Sequence, residues 1–259
     1  MYNTILYEVG EGIATVTLNR PDRYNALNNE LSFELIDALK KCDKDPAVRV
    51  VVITGAGEKA FCSGQDLKDV AGVERSLGDS VNRRYNPMTR AIVNMEKPVI
   101  ARVNGVAAGA GAGIVLAADV AIAADTASLL FAFVNIGLVL DSGSSYTLPR
   151  LVGRKKAFEL ATLGEKISAQ EALELGLVTR VVPAAELDGV TREWAVKYAE
   201  KAPKSLALMK RMLNRSHHST LEQMLEMEMY CQEIAGASWD YVEGVMAFSQ
   251  KRKPNFTGK

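Results

Sequence analysis

Between Asn104 and Gly113 the chain reads Asn104-Gly105-Val106-Ala107-Ala108-Gly109-Ala110-Gly111-Ala112-Gly113, where after the first residue no side chain exceeds valine. Such small residues let backbones approach one another or a ligand closely. The run follows an apolar strand-like stretch, 98–103, and reads as the start of a helix over 105–118, followed by a strand over 120–123. A helix start leaves amides unpaired and gathers the positive end of a dipole, which suits an oxygen that becomes negative. Taken alone, the run reads first as an ordinary tight turn. Its apolar continuation, 105–124, is interrupted by Asp119 and rich in Ala and Gly, so a buried helix leading into a buried strand explains it better than a membrane span.

Around this run the pattern repeats. Short strands over 5–7 and 13–18 flank Gly10-Glu11-Gly12 as a hairpin. Leu31, Leu35, Ile36 and Leu39 recur at helical spacing, and the run stops before Asp45-Pro46. The β-branched run 50–54 reads as a strand buried in a parallel sheet. A loop over 55–64, a polar stretch over 73–86 expected to be mobile and to shape a pocket, and a helix from about 88 to 95 lead back to the small-residue segment. Strands alternating with helices predict an α/β fold with crossovers of one hand. Beyond Pro183 the pattern turns helical, over 187–201, 204–214 and 220–235. The expected division is therefore an α/β core over 1–183 and a helical region over 184–259, with no internal repeat.

Charge and cysteine usage narrow the function. The 259 residues carry 31 Lys plus Arg against 31 Asp plus Glu, so there is no overall basic field of the kind nucleic-acid binding needs. Cys42, Cys62 and Cys231 are scattered and lack ligand spacing, which predicts neither disulfides nor a metal site. The opening Met1-Tyr2-Asn3 shows no secretory pattern and the closing Thr257-Gly258-Lys259 no peroxisomal address, so a cytoplasmic protein is expected.

A second segment, Lys59-Ala60-Phe61-Cys62-Ser63-Gly64-Gln65-Asp66-Leu67, also sets a glycine beside a polar turn. It is one of several motifs in order: Asn19-Arg20-Pro21 with Asn25-Ala26-Leu27, Lys97-Pro98-Val99-Ile100-Ala101 with Asn104-Gly105, Leu148-Pro149-Arg150-Leu151-Val152-Gly153, the stretch 172–178, and finally Glu243-Gly244, Phe248, Lys251-Arg252 and Pro254-Asn255-Phe256. Over nearly its whole length the sequence resembles the crotonase (enoyl-CoA hydratase/isomerase) family. The resemblance implies a core of repeated β-β-α units and a helical C-terminal region that makes a homotrimer, often paired as a hexamer. It implies an acyl-CoA thioester substrate, with no cofactor besides the coenzyme A of the substrate. The family's oxyanion hole maps to the backbone amides of Gln65 and Ala110, so no particular side chain is expected at either position. Arg23, Ala26 and Lys68 map to the coenzyme A path, and Phe256 and Lys259 to the adenine side of a neighbouring subunit. Arg23 and Lys68 read equally well as solvated surface charges.

One departure from the family is informative. The two glutamates with which family hydratases activate water correspond here to Gly113 and Phe133, neither of which can exchange a proton. Instead Leu138-Val139-Leu140-Asp141-Ser142-Gly143 places a carboxylate in an apolar loop, as in the isomerase subgroup that includes ring-1,2-epoxyphenylacetyl-CoA isomerases. By that resemblance Asp141 is the acid/base, with Asn135 a lesser candidate for orienting substrate. Asp141 also reads as an N-cap of the following helix. An atypical hydratase and a non-catalytic acyl-CoA binder remain open. A dehalogenase-like nucleophilic role for Asp141 lacks a histidine, since His217 and His218 sit in the helical tail, and Ser142, Ser144 and Ser145 lack a triad partner.

Overall fold

The computed structural model describes residues 2–68 and 76–259. It opens with an antiparallel hairpin, β1 (Ile5–Gly10) and β2 (Ile13–Leu18). Its turn takes positive φ at both Glu11 (54°) and Gly12 (78°). Helix α1 (Asn29–Lys44) follows, with the Asn28 side chain accepting a 2.8 Å bond from Leu31 N. Leu31, Leu35, Ile36, Leu39 and Cys42 form its buried face.

Two strands and a helix then recur. β3 (Val50–Gly55) and β4 (Ala60–Cys62) precede a helical stretch made of α2 (Leu77–Ser80), a π turn (Val81–Tyr85) and α3 (Asn86–Asn94). β5 (Val99–Val103) and β6 (Val106–Ala108) precede α4 (Ala110–Ala117). β7 (Val120–Ala124) and β8 (Ser128–Leu130) precede α5 (Ser144–Leu163), which bends where Gly153 takes a φ of 75° and ψ of 160°. β9 (Lys166–Ser168), α6 (Ala169–Glu174) and β10 (Arg180–Val182) complete the core.

In each unit the first strand joins a six-stranded sheet, ordered β1-β2-β3-β5-β7-β10, and the second joins a four-stranded sheet, ordered β4-β6-β8-β9. From β2 onward the larger sheet is parallel, and β4, β6 and β8 are parallel to one another. All six residues of β3 are buried, as expected of a parallel strand covered on both faces.

The expected β-β-α core is present, with corrections. The helix expected over 105–118 is a strand, β6, followed by the shorter α4, and β4 and β8 were likewise not anticipated. Strands of three residues are too short to display an alternation. The expected polar stretch 73–86 lies outside the described residues as far as 75, and from Leu77 it is helical, continuing into α3.

Beyond β10 the chain is helical, with α7 (Leu187–Ala199), α8 (Pro203–Ser216), α9 (Leu221–Gly236) and an unanticipated α10 (Trp239–Ser249). Lys210 ties α8 to the core, donating to the carbonyls of Ile92 and Lys97 and, at 2.7 Å, to Asp119 Oδ2. α9 and α10 leave large apolar side chains in solvent, Trp239 at 72% and Phe248 at 88% exposure among them. The three cysteines are free and buried. Among the described residues no helix is long and apolar enough to cross a membrane.

Candidate active site

Because β4, β6 and β8 are adjacent and parallel, the residues that follow them stand side by side at their carboxyl ends, where open α/β sheets bind ligands. A Cβ at Gly64, whose φ is 86°, would lie 2.8 Å from the Ala108 carbonyl oxygen and 3.5 Å from Ala110 N. One at Gly111 would lie 2.1 Å from the Cys62 carbonyl oxygen. The two small-residue segments thus meet backbone against backbone, a contact only glycine permits.

That contact leaves two amides unused. Leu27 donates to the Gly64 carbonyl at 2.7 Å and accepts from Asp66 N at 3.0 Å, so in this parallel bridge the Gln65 N–H points to the opposite side. Ala110 is the first residue of α4, where an amide has no carbonyl one turn back within the helix. Among the described residues neither amide has a protein partner. Both residues line a cavity of about 630 Å³.

The Gln65 side chain is engaged as well, contrary to the expectation that its identity is unimportant. Its Oε1 accepts from Arg84 Nη2 at 2.8 Å and from the Tyr85 hydroxyl. Its Nε2 donates to the carbonyls of Leu27 (3.0 Å) and Asp66 (3.1 Å). Sequence gave no signal for Arg84 or Tyr85, because they lie in a polar run that reads as surface.

Asp141 lines the same cavity, whose apolar lining includes Phe133, Leu138, Val139 and Leu140 from its own loop and Leu77 and Val81 from the helical stretch before α3. Burial raises its carboxyl above the usual range, opposed by a 2.8 Å hydrogen bond from Ser142 Oγ and by the charge of Arg84. It does not cap α5 with its side chain. The cap residue is Gly143 (φ 75°), and it is the backbone carbonyl of Asp141 that accepts from Ser144 N at 2.9 Å. Asn135 also lines the cavity, but its amide donates to the Gly164 carbonyl at 2.9 Å and so fastens the loop to the end of α5.

The positions of the missing glutamates are filled. A Cβ at Gly113 would come within 2.5 Å of Ser142 Cβ, and the Phe133 ring is buried against the start of α4, 3.9 Å from where a Gly109 Cβ would sit. Asp141 is the one carboxylate among the described residues lining the cavity. Among the described residues no cluster of His, Cys, Asp and Glu has the makings of a metal site.

Arg23, Ala26 and Lys68 flank the Leu27–Gln65 bridge. Arg23 and Lys68 are exposed, whereas Ala26 is buried and its carbonyl accepts from Arg20 Nη1 at 2.6 Å. Phe256 and Lys259 are not brought to this edge by their own chain. The Phe256 carbonyl accepts from Arg49, and the Lys259 carbonyl accepts from Trp239 N at 2.8 Å, which folds the tail against α10.

A core of β-β-α units with two inward amides beside an apolar cavity defines the crotonase class. The chain belongs to the enoyl-CoA hydratase/isomerase family, whose model matches residues 8–259. It is 43% identical to the 1,2-epoxyphenylacetyl-CoA isomerase of Escherichia coli strain K12, with 100% of both chains covered. It is 34% identical to the crotonyl-CoA hydratase of Syntrophomonas wolfei, covering 100% of this chain and 99% of that one. The crystal structure of an enoyl-CoA hydratase from Bacillus anthracis superposes with a TM-score of 0.94 at 35% identity, covering 99% of this chain and 100% of that one.

Proposed function

We propose that the protein is an acyl-CoA isomerase that moves a proton between carbons of its substrate, with Asp141 as the acid/base. The observation that carries this reading is a lone carboxylate in an apolar cavity that also holds the Gln65 and Ala110 amides. The thioester oxygen lies between those two amides. Asp141 takes a proton from one carbon, and the electrons of the broken C–H bond pass to the thioester oxygen as an enolate. The protonated Asp141 then returns the proton to another carbon, the enolate collapses, and no water is consumed. Each amide aimed at such an oxygen typically contributes about 2.7–4 kcal/mol to the transition state.

Gly113 and Phe133 disfavour hydration, since neither can activate water. The similarity to an isomerase supports the same choice, and a ring epoxide or a 3-enoyl thioester fits the apolar walls. Arg23 and Lys68 meet the phosphates of coenzyme A beside Ala26, and no further cofactor takes part. The exposed apolar faces of α9 and α10 support a homotrimer, or a hexamer of two trimers, in which Phe256 and Lys259 reach a neighbour's adenine pocket. A cytoplasmic location fits such a substrate.

The test is a turnover screen of 3-enoyl-, 2-enoyl- and ring-epoxide-CoA thioesters, followed by absorbance and mass. Isomerisation of a 3-enoyl or ring thioester should outpace hydration of a 2-enoyl thioester. Hydration clearly faster than isomerisation would overturn the reading.

A further inference from the structure

Arg84 is 2% exposed, and no other Lys or Arg among the described residues is so deeply buried. The π turn puts it there. Asn86 N bonds back to the Val81 carbonyl, five residues away, and this wider turn lets the consecutive side chains of Arg84 and Tyr85 both turn inward to Gln65 Oε1. In a regular α-helix, neighbouring side chains diverge by about 100°.

The placement is energetically unusual. A guanidinium withdrawn from water needs an opposing charge or a full set of acceptors. Arg84 Nη2 has the neutral Gln65 oxygen, whereas Nη1 is buried with no hydrogen-bond partner among the described residues. The Gln65 that it holds lines the same cavity as Asp141, and the charge of Arg84 opposes the effect of burial on the Asp141 carboxyl. Other groups there offer no competing charge. α4 carries no titratable residue, the loop before α5 offers only the Ser142 hydroxyl, and Tyr85 is the one other titratable group lining the cavity among the described residues. Asp79 and Arg83, in the same helical stretch, are exposed and pair with each other at 3.6 Å.

We propose that Arg84 is a positioning residue that keeps the Asp141 carboxylate ionised within its apolar cavity, so that Asp141 enters the reaction as a base. The proposal rests on the acid/base reading of Asp141. An arginine serves this purpose because it stays charged at every working pH and its two Nη groups can face different partners. Through Gln65 the same side chain anchors the segment after β4 whose amide faces the thioester oxygen, so base and oxyanion hole share one support.

The test needs no substrate. Carbon-13 NMR of aspartate-labelled enzyme follows the Asp141 carboxyl through a pH titration, with the resonance assigned by its absence in D141N. In R84M the titration should move to higher pH, and in R84K it should return toward the wild-type position. Should R84M fail to fold, R84Q, which keeps a donor for Gln65 Oε1 and loses the charge, takes its place and should show the same upward move. An unmoved titration in a folded charge-free variant overturns the proposal, and so does R84K titrating where R84M does. Retained turnover by D141N would instead defeat the reading of Asp141, a separate result.

Discussion

Ser142 Oγ donates a 2.8 Å hydrogen bond to Oδ1 of its neighbour Asp141, and this bond opposes the effect of burial on that carboxyl. The geometry makes a pH prediction with a definite sign. Burial lifts the Asp141 pKa above an ordinary carboxylate, about 3.9, and Ser142 stabilises the ionised form. If the ionised form is the working base, the acid limb of kcat/KM lies above the ordinary carboxylate range. S142A should move it to still higher pH. A limb that stays in place in S142A would show that Asp141 is not the group that titrates.

D141N should keep the fold and bind acyl-CoA while losing its proton-transfer group. General acid/base residues typically contribute about 10²- to 10⁴-fold, so kcat should fall by roughly that factor with little change in KM. Steady-state kinetics with a 3-enoyl-CoA thioester checks this, and a wild-type rate in D141N would remove Asp141 from the mechanism.

The same substitution should stabilise the protein. With its pKa raised on folding, Asp141 binds more protons in the folded chain than in the unfolded one between the ordinary carboxylate range and its raised value, so stability declines as pH rises through that window. D141N escapes the decline. Its Tm should exceed that of the wild type at neutral pH, by about 2–4 °C for each kcal/mol regained, and the gap should close in acid, where Asp141 is protonated in both states. Thermal melts across pH provide the measurement, and a lower neutral Tm for D141N would contradict the sign.

Gly113 and Ser142 should be coupled. G113A places a methyl group 2.5 Å from Ser142 Cβ, an overpacking expected to cost about 1–3 kcal/mol. Ser142 already sits at a φ of 52°, a conformation glycine adopts freely, so S142G should relieve part of that penalty. Chemical denaturation of the two single variants and the double variant completes the cycle. Strict additivity would mean that the contact is slack.

At the proposed oxyanion hole, A110P removes a backbone donor and should abolish turnover in a protein whose circular dichroism is unchanged. Q65A retains its amide yet leaves Arg84 without its acceptor, and losing a hydrogen bond to a charged group typically costs about 1.5–3 kcal/mol. It should therefore melt earlier as well as work more slowly. Normal turnover by a folded A110P would discount the hole.

Much of this arrangement is legible in the residues. The β-branched run of β3, the helical spacing on α1 and the glycines at 64, 109 and 111 each follow from a rule acting over a few neighbours. What escaped depends on distant groups. β4, β6 and β8 acquire strand character only from lying beside one another, and α10 shows a continuous apolar face rather than a stripe. Arg84 reads as surface until a π turn rotates it inward, and Gln65 reads as a backbone donor alone until its side chain meets Arg84 and Tyr85.

The parallel alignment of β4, β6 and β8 acts as a ruler. Neighbouring strands in a sheet are held about 4.7–4.9 Å apart whatever their side chains, so the gap between the amide after Gly64 and the amide after Gly109 is fixed by main-chain pitch. Asp141, the proposed acid/base, arrives separately, on the long excursion that leaves β8. A lineage with this layout can swap the reacting side chain on that excursion without recalibrating the grip on the thioester, much as a tool bit is changed in a fixed chuck.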